Sequence, residues 1–136
     1  MSITTEIVKI LEESKVIAVV GASRNPSKAA HTIPKYLKEH GYKIIPVNPM
    51  AETILEEKVY PNLTKIPVQV DIVDIFRPSE DTPKVVEEAV KLKPKLIWLQ
   101  LGIVNEKAKE IAEKNGIPFV MDKCMKIEHM RLFHRH

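Results

Sequence analysis

Apolar positions along this chain switch between two periods. Residues 5–14 (TEIVKILEES) put Ile7, Ile10 and Leu11 at helical spacing, which predicts an opening helix. Residues 16–20 (VIAVV) form an unbroken, largely β-branched run, the pattern of a strand covered on both faces. A second helix is predicted over about 31–40, with Ile33, Tyr36 and Leu37 inward, Pro34 in its first turn and Gly41 ending it. Residues 43–49 (KIIPVNP) read as a second strand in which Pro46 removes one ladder donor. Residues 50–67 read as a connector with one helical turn. Residues 70–76 (VDIVDIF) read as a third strand.

The alternation continues to the end. Residues 79–93 predict a helix capped by Ser79 or Asp81, with Val85, Val86, Ala89 and Val90 inward. KLIWLQL (95–101) is a fourth strand. The next helix opens on Asn105, stops at Gly116 and turns Ala108, Ile111 and Ala112 inward. PFVMD (118–122) is a fifth strand, and 124–133 a short terminal helix. Strands alternating with helices imply right-handed crossovers and a parallel sheet. The predicted fold is α/β: one Rossmann-like domain over residues 1–136, with five parallel strands in the order 3-2-1-4-5 and helices on both faces. Its switch point would lie between the first and fourth strands, with ligands beyond the carboxyl ends.

Composition narrows the function. Lys and Arg number 21 against 18 Asp and Glu, so the net charge of +3 gives no broad nucleic-acid face. A charged fraction of 29%, mostly Lys and Glu, leans towards a thermophile. No apolar run nears the about 20 residues of a membrane span, and charge interrupts the N-terminal stretch where a signal-peptide core would stand. A soluble cytoplasmic protein is expected. One cysteine rules out an internal disulfide framework.

The unusual residues fall at the predicted strand tips. After the first strand comes GASRNPSK (21–28). The others end in Asn48–Pro49, Phe76–Arg77–Pro78, Gln100–Leu101–Gly102 and Asp122–Lys123–Cys124. These tips carry four cations, Arg24, Lys28, Arg77 and Lys123, with two amides, an aromatic ring and a thiol. A dinucleotide fingerprint would need glycines at 23 and 26, where Ser23 and Pro26 stand. It would also need an acid after the second strand, where Asn48 stands. A P-loop would need a second glycine where Pro26 stands, so nucleotide hydrolysis is not expected. What remains is an anion site at a helix end, with backbone amides and the Ser23 or Ser27 hydroxyl as donors and Arg24 and Lys28 adding charge.

Taken in order, VVGAS with its later Pro and Lys, GYKIIPVNP, VDIVDIFRP, WLQLGIVNE and VMDKCMKIEHMRL resemble the single-domain CoA-binding protein family. Its fold is that of the N-terminal CoA-binding domain of succinyl-CoA synthetase alpha subunits. The resemblance covers about residues 16–132. It implies CoA or an acyl-CoA as ligand, with Gly21, Ala22, Ser23 and Arg24 around the pyrophosphate and Lys28 nearby. Asn48 and Pro49 would border the adenosine, and Phe76, Arg77 and Pro78 would flank adenine or its phosphates. Gln100 and Gly102 would lie beside the pantetheine arm, with Lys123 and Cys124 at the far edge. Synthetase alpha subunits add a second domain with a phosphorylated histidine, and no counterpart of it is expected within these 136 residues. None of the five histidines sits in a catalytic context; His31 reads as helix surface, and the terminal HRH (His134, His136) as a tail.

No nucleophile–base pair, metal spacing or carboxylate dyad stands out. Asp71 and Asp74 are three apart, on opposite faces of a strand. The sequence therefore reads as a binding module without catalytic machinery, its partner a small molecule and not a nucleic acid or membrane. A protein partner or homo-oligomer is left open. The alternatives are an NAD(P)-binding redox protein, favoured only by Arg24 and Lys28 as 2′-phosphate partners, and an acyl-CoA ligase subunit completed by another chain.

Overall fold

A computed structural model describes residues 3–133, so the terminal His134 and His136 lie outside it. Helix α1 (Thr5–Glu13) is capped by Thr4, whose hydroxyl accepts the Ile7 N–H at 3.2 Å, and it buries Ile7 and Leu11. Strand β1 (Val16–Val20) then enters the centre of the molecule, and helix α2 (Ala29–Glu39) returns to β2 (Lys43–Val47). The connector forms a two-residue hairpin, β3 (Thr53–Ile54) with β4 (Glu57–Lys58), and one 3-10 turn. Strand β5 (Ile72–Ile75), α3 (Thr82–Lys91), β6 (Leu96–Leu99), α4 (Glu106–Lys114), β7 (Phe119–Val120) and α5 (Met125–Phe133) complete the alternation.

The five long-range strands are parallel, and the helices cover both faces, as the pattern predicts. Side chains of α1, α2 and α5 meet Ile17, Val19, Ile72, Leu96 and Trp98 on one face. Those of α3 and α4 meet Ala18, Val73, Ile75, Ile97 and Leu99 on the other. Among the described residues, no helix is long and apolar enough to cross a membrane.

The strand order is not 3-2-1-4-5. It runs β2-β1-β5-β6-β7, which is 2-1-3-4-5 among the parallel strands. The slot outside β2 is taken by a single-residue bridge, with the Asn48 N–H donating to Tyr60 O and the Tyr60 N–H to Pro46 O. The VDIVDIF segment, every residue of β5 buried, goes instead to the other side of β1. A strand buried at every position belongs inside the sheet, with neighbours on both edges and helices on both faces. The switch point therefore lies between β1 and β5. Pro46 fits for the same reason: its carbonyl faces Tyr60, so its missing N–H faces the outer edge and not β1.

Helix α2 starts two residues earlier than its pattern suggests, and Pro34 stands inside it, not in its first turn. Proline leaves the carbonyl four residues back without its helical donor. That carbonyl, Ala30 O, accepts the Ser23 N–H at 3.1 Å. Asp81 does not cap α3 with its side chain; a 3-10 turn (Ser79–Asp81) leads in, and Asp81 pairs with Arg77. Asn105 caps α4 as predicted, accepting the Ala108 N–H at 2.9 Å.

Asp71 stands just before β5 and pins the start of β1: one carboxylate oxygen accepts the N–H groups of Lys15 and Val16 at 2.9 and 3.0 Å. Asp71→Ala leaves both donors without that acceptor. It is expected to lower stability by about 1.5–3 kcal/mol, read as an earlier urea midpoint at unchanged slope. An unmoved midpoint would mean that these bonds are replaced by water at no cost.

Candidate ligand site at the strand tips

The turn after β1 begins at Gly21, with φ +87°. A side chain is strained there, and a Cβ would also stand 2.9 Å from the Phe76 carbonyl oxygen and 3.4 Å from Arg77 Cδ. The glycine lets the tips of β1 and β5 touch. The Gly21 N–H donates to Val47 O, and Asn48 Nδ2 donates to Ala22 O at 2.9 Å, tying the tip of β2 to the same turn. His31 places ring Nδ1 2.7 Å from the Ser23 carbonyl, so it braces the loop from α2.

Within the loop, Asn25 Oδ1 accepts the Ser27 N–H and hydroxyl, and Ser23 Oγ accepts the Asn25 N–H. The Ser27 hydroxyl is thus spent inside the loop, and the Ser23 proton remains for a ligand. The amides of Ala22, Arg24, Ala29 and Ala30 have no protein acceptor among the described residues. Helix α2 has Lys28 at its N-cap, no side-chain cap and no acid in its first turn. Its positive dipole end is uncompensated, which is the condition for binding an anion.

Three clefts meet around Phe76. The first, about 610 Å³, is lined by Gly21, Ala22, Ser23, Arg24, Lys28 and Asn48. The second, about 700 Å³, lies on the β2 side and takes in Asn48, Pro49, Met50, Arg77 and Lys84. The third, about 480 Å³, lies on the other side, against Ile33, Gln100, Ile103, Cys124 and Ile127. Phe76 lines all three.

Eleven of the fourteen residues singled out from the sequence line these clefts. Pro78, Gly102 and Lys123 do not. Pro78 leads into the 3-10 turn. The Gly102 N–H is taken by Asp122 Oδ1 at 2.8 Å, and the Lys123 backbone carbonyl by Trp98 Nε1 at 2.8 Å. Asn48 and Arg77 are partly committed as well: Asn48 Oδ1 accepts the Met50 N–H, and Arg77 pairs with Asp81 at 2.9 Å.

Asp74 is the residue that the sequence reasoning passed over. It is fully buried in β5, paired across to Val19 and Trp98. One oxygen accepts Gln100 Nε2 at 2.6 Å; the other has no partner among the described residues. Gln100 Oε1 in turn accepts the Met125 N–H at the start of α5. Burial pushes the Asp74 carboxyl up to about 7, against the smaller opposing effect of the Gln100 bond. The signal was a lone acid inside an apolar run.

The CoA binding domain family model matches residues 15–130. The chain belongs to that family. YneT of Bacillus subtilis, an uncharacterized protein, is 41% identical over 124 residues, covering 91% of this chain and 92% of its own. The ADP-forming acetate–CoA ligase II of Archaeoglobus fulgidus is 38% identical over 115 residues, covering 76% of this chain. The match spans only 17% of that ligase's length. A solved Thermus thermophilus structure, cell-free ID.343, superposes with a TM-score of 0.92 at 39% identity, covering 98% of this chain and all of the other. The chain is thus similar both to chains of about its own length and to a short segment of a much longer ligase.

The raised Asp74 carboxyl sets a pH dependence. Its folded-state value lies above the ordinary 3.8, so its favourable contribution is fully present below about pH 4 and is lost as pH rises through about 7. Asp74→Asn keeps the Gln100 bond and removes the titration. Its stability from pH 4 to 8 is expected to lack the wild-type decline, as measured by urea unfolding at each pH; identical slopes would show that Asp74 is not protonated in the folded state.

Proposed function

We propose that the chain is a single CoA-binding module that holds CoA or an acyl-CoA across the carboxyl ends of the strands, without chemistry of its own. The observation that carries this is the junction of three clefts at Phe76. A dinucleotide-like ligand with a flexible arm needs three connected compartments: one for the adenosine, one for the phosphates and one for the arm. The middle cleft has the donors for phosphate, in the free amides of the turn, the end of α2, Arg24 and Lys28. Arg77 and Lys84 offer charge for the 3′-phosphate on the adenosine side. The cleft beside Gln100 and Cys124 suits the pantetheine arm. Gly102, Lys123 and Pro78 are not needed by this reading. CoA is a cytoplasmic metabolite, and the cytoplasm is the proposed location.

An NAD(P) protein is the poorer fit. No acid ends β2, and Asn48 is already bonded to Ala22 and Met50. A ligase subunit completed by another chain is a second reading, favoured by the resemblance to a segment of a long ADP-forming ligase. It shares the CoA site and differs only in requiring a partner for catalysis.

Titration calorimetry at low salt with CoA and NAD tests the main reading. CoA is expected to bind more tightly than NAD. Arg24→Ala is expected to weaken CoA by about 1.5–3 kcal/mol, the range for a hydrogen bond to a charged group. NAD binding more tightly than CoA would replace this reading with the redox one.

A further inference from the structure

We propose that the apolar cleft beyond Phe76 holds the acyl chain of a thioester, so that the preferred ligand is an acyl-CoA with an uncharged, apolar chain and not free CoA. The inference rests on the CoA reading above and extends it to the far end of the arm. The cleft shares Lys28, Ala30 and Phe76 with the phosphate cleft, so one ligand can run through both. Past Phe76 its walls are Ile33, Leu101, Ile103 and Ile127. Two of these stand out in the open: Leu101 is 65% exposed and Ile127 50%. Large apolar side chains left in water around one cleft gain from an apolar occupant. Free CoA ends in a small thiol after an amide-rich arm and has little to offer them.

The polar groups of the cleft agree. Lys28, at the phosphate end, is its only charged lining residue, so a carboxylate at the far end of an acyl group would lose water without gaining an ion pair. Gln100 is the fixed polar point, 3% exposed. Its oxygen is held by the Met125 N–H and one of its two amide hydrogens by Asp74. The second hydrogen has no protein acceptor among the described residues. A thioester places a carbonyl oxygen at the end of the arm, a stronger acceptor for it than the sulfur of a free thiol. Asp74 acts here as a positioning residue, holding the Gln100 amide in one orientation.

The test is calorimetry on the whole chain with CoA, butyryl-CoA, hexanoyl-CoA and succinyl-CoA. The dissociation constant is expected to fall by roughly two- to fourfold for each added methylene from butyryl to hexanoyl, the scale of burying one CH₂ group. Succinyl-CoA is expected to bind no more tightly than CoA. In Ile127→Gln and, separately, Leu101→Gln, both at exposed positions, the ratio of the CoA to the hexanoyl-CoA constants should fall towards one. Equal constants for CoA, butyryl-CoA and hexanoyl-CoA, or tighter binding of succinyl-CoA, would overturn this inference and leave the CoA reading standing. No binding of any of the four would overturn the CoA reading itself.

Discussion

The contact between Gly21 and the Phe76 carbonyl is the constraint on which the rest of the site depends. Two parallel strands can end side by side only if the chain leaving one does not collide with the tip of the other. Here the margin is 2.9 Å to an absent Cβ, at a φ of +87° that side chains rarely adopt. Because that corner is closed, Phe76 stands at the junction of three clefts. The loop from Gly21 to Lys28 is also tied to Asn48 and to Ala30 O, which braces it from β2 and from α2. Preorganisation of this kind removes part of the ordering cost of binding.

Two features that look like faults become intelligible in this light. Pro34 breaks the hydrogen-bond ladder of α2, and the carbonyl it frees is the anchor for Ser23. Asp74 puts a carboxyl in the apolar face of the sheet, at a cost that folding could avoid with valine. It holds Gln100, and Gln100 holds the start of α5. Both are compromises of the interior that fix the geometry of the rim.

What the sequence shows and hides follows from where the information resides. Helices and strands were legible because each buries a recognisable pattern: Ile7 and Leu11 at helical spacing, or the unbroken VIAVV run of β1. Strand order was not, because the slot outside β2 is filled by one residue, Tyr60, with no strand pattern to announce it. The apolar run of β5 did carry the clue, since such a strand belongs inside the sheet. The start of α2 was misplaced because Lys28 caps it without a side-chain bond, leaving no Ser, Thr, Asp or Asn signature. At the site, loop residues could be assigned to the right edge but not to a direction. Gly102 and Lys123 lie at strand tips, yet their backbones are bound to Asp122 and Trp98. Asp74 was visible as an acid among valines and isoleucines; comparing it only with Asp71 hid its link to Gln100.

The central claim is that a CoA ligand lies along the strand tips, with its phosphates at the start of α2. Amide-resolved NMR during a titration with CoA tests it most directly. The account predicts the largest shifts at the backbone N–H groups of Ala22, Arg24, Ala29 and Ala30, with the Gln100 side-chain amide moving in the same titration. Shifts confined to the groove between α3 and α4, around Lys91 and Lys114, or to the opposite end of the sheet around Ser14 and Gly41, would contradict it.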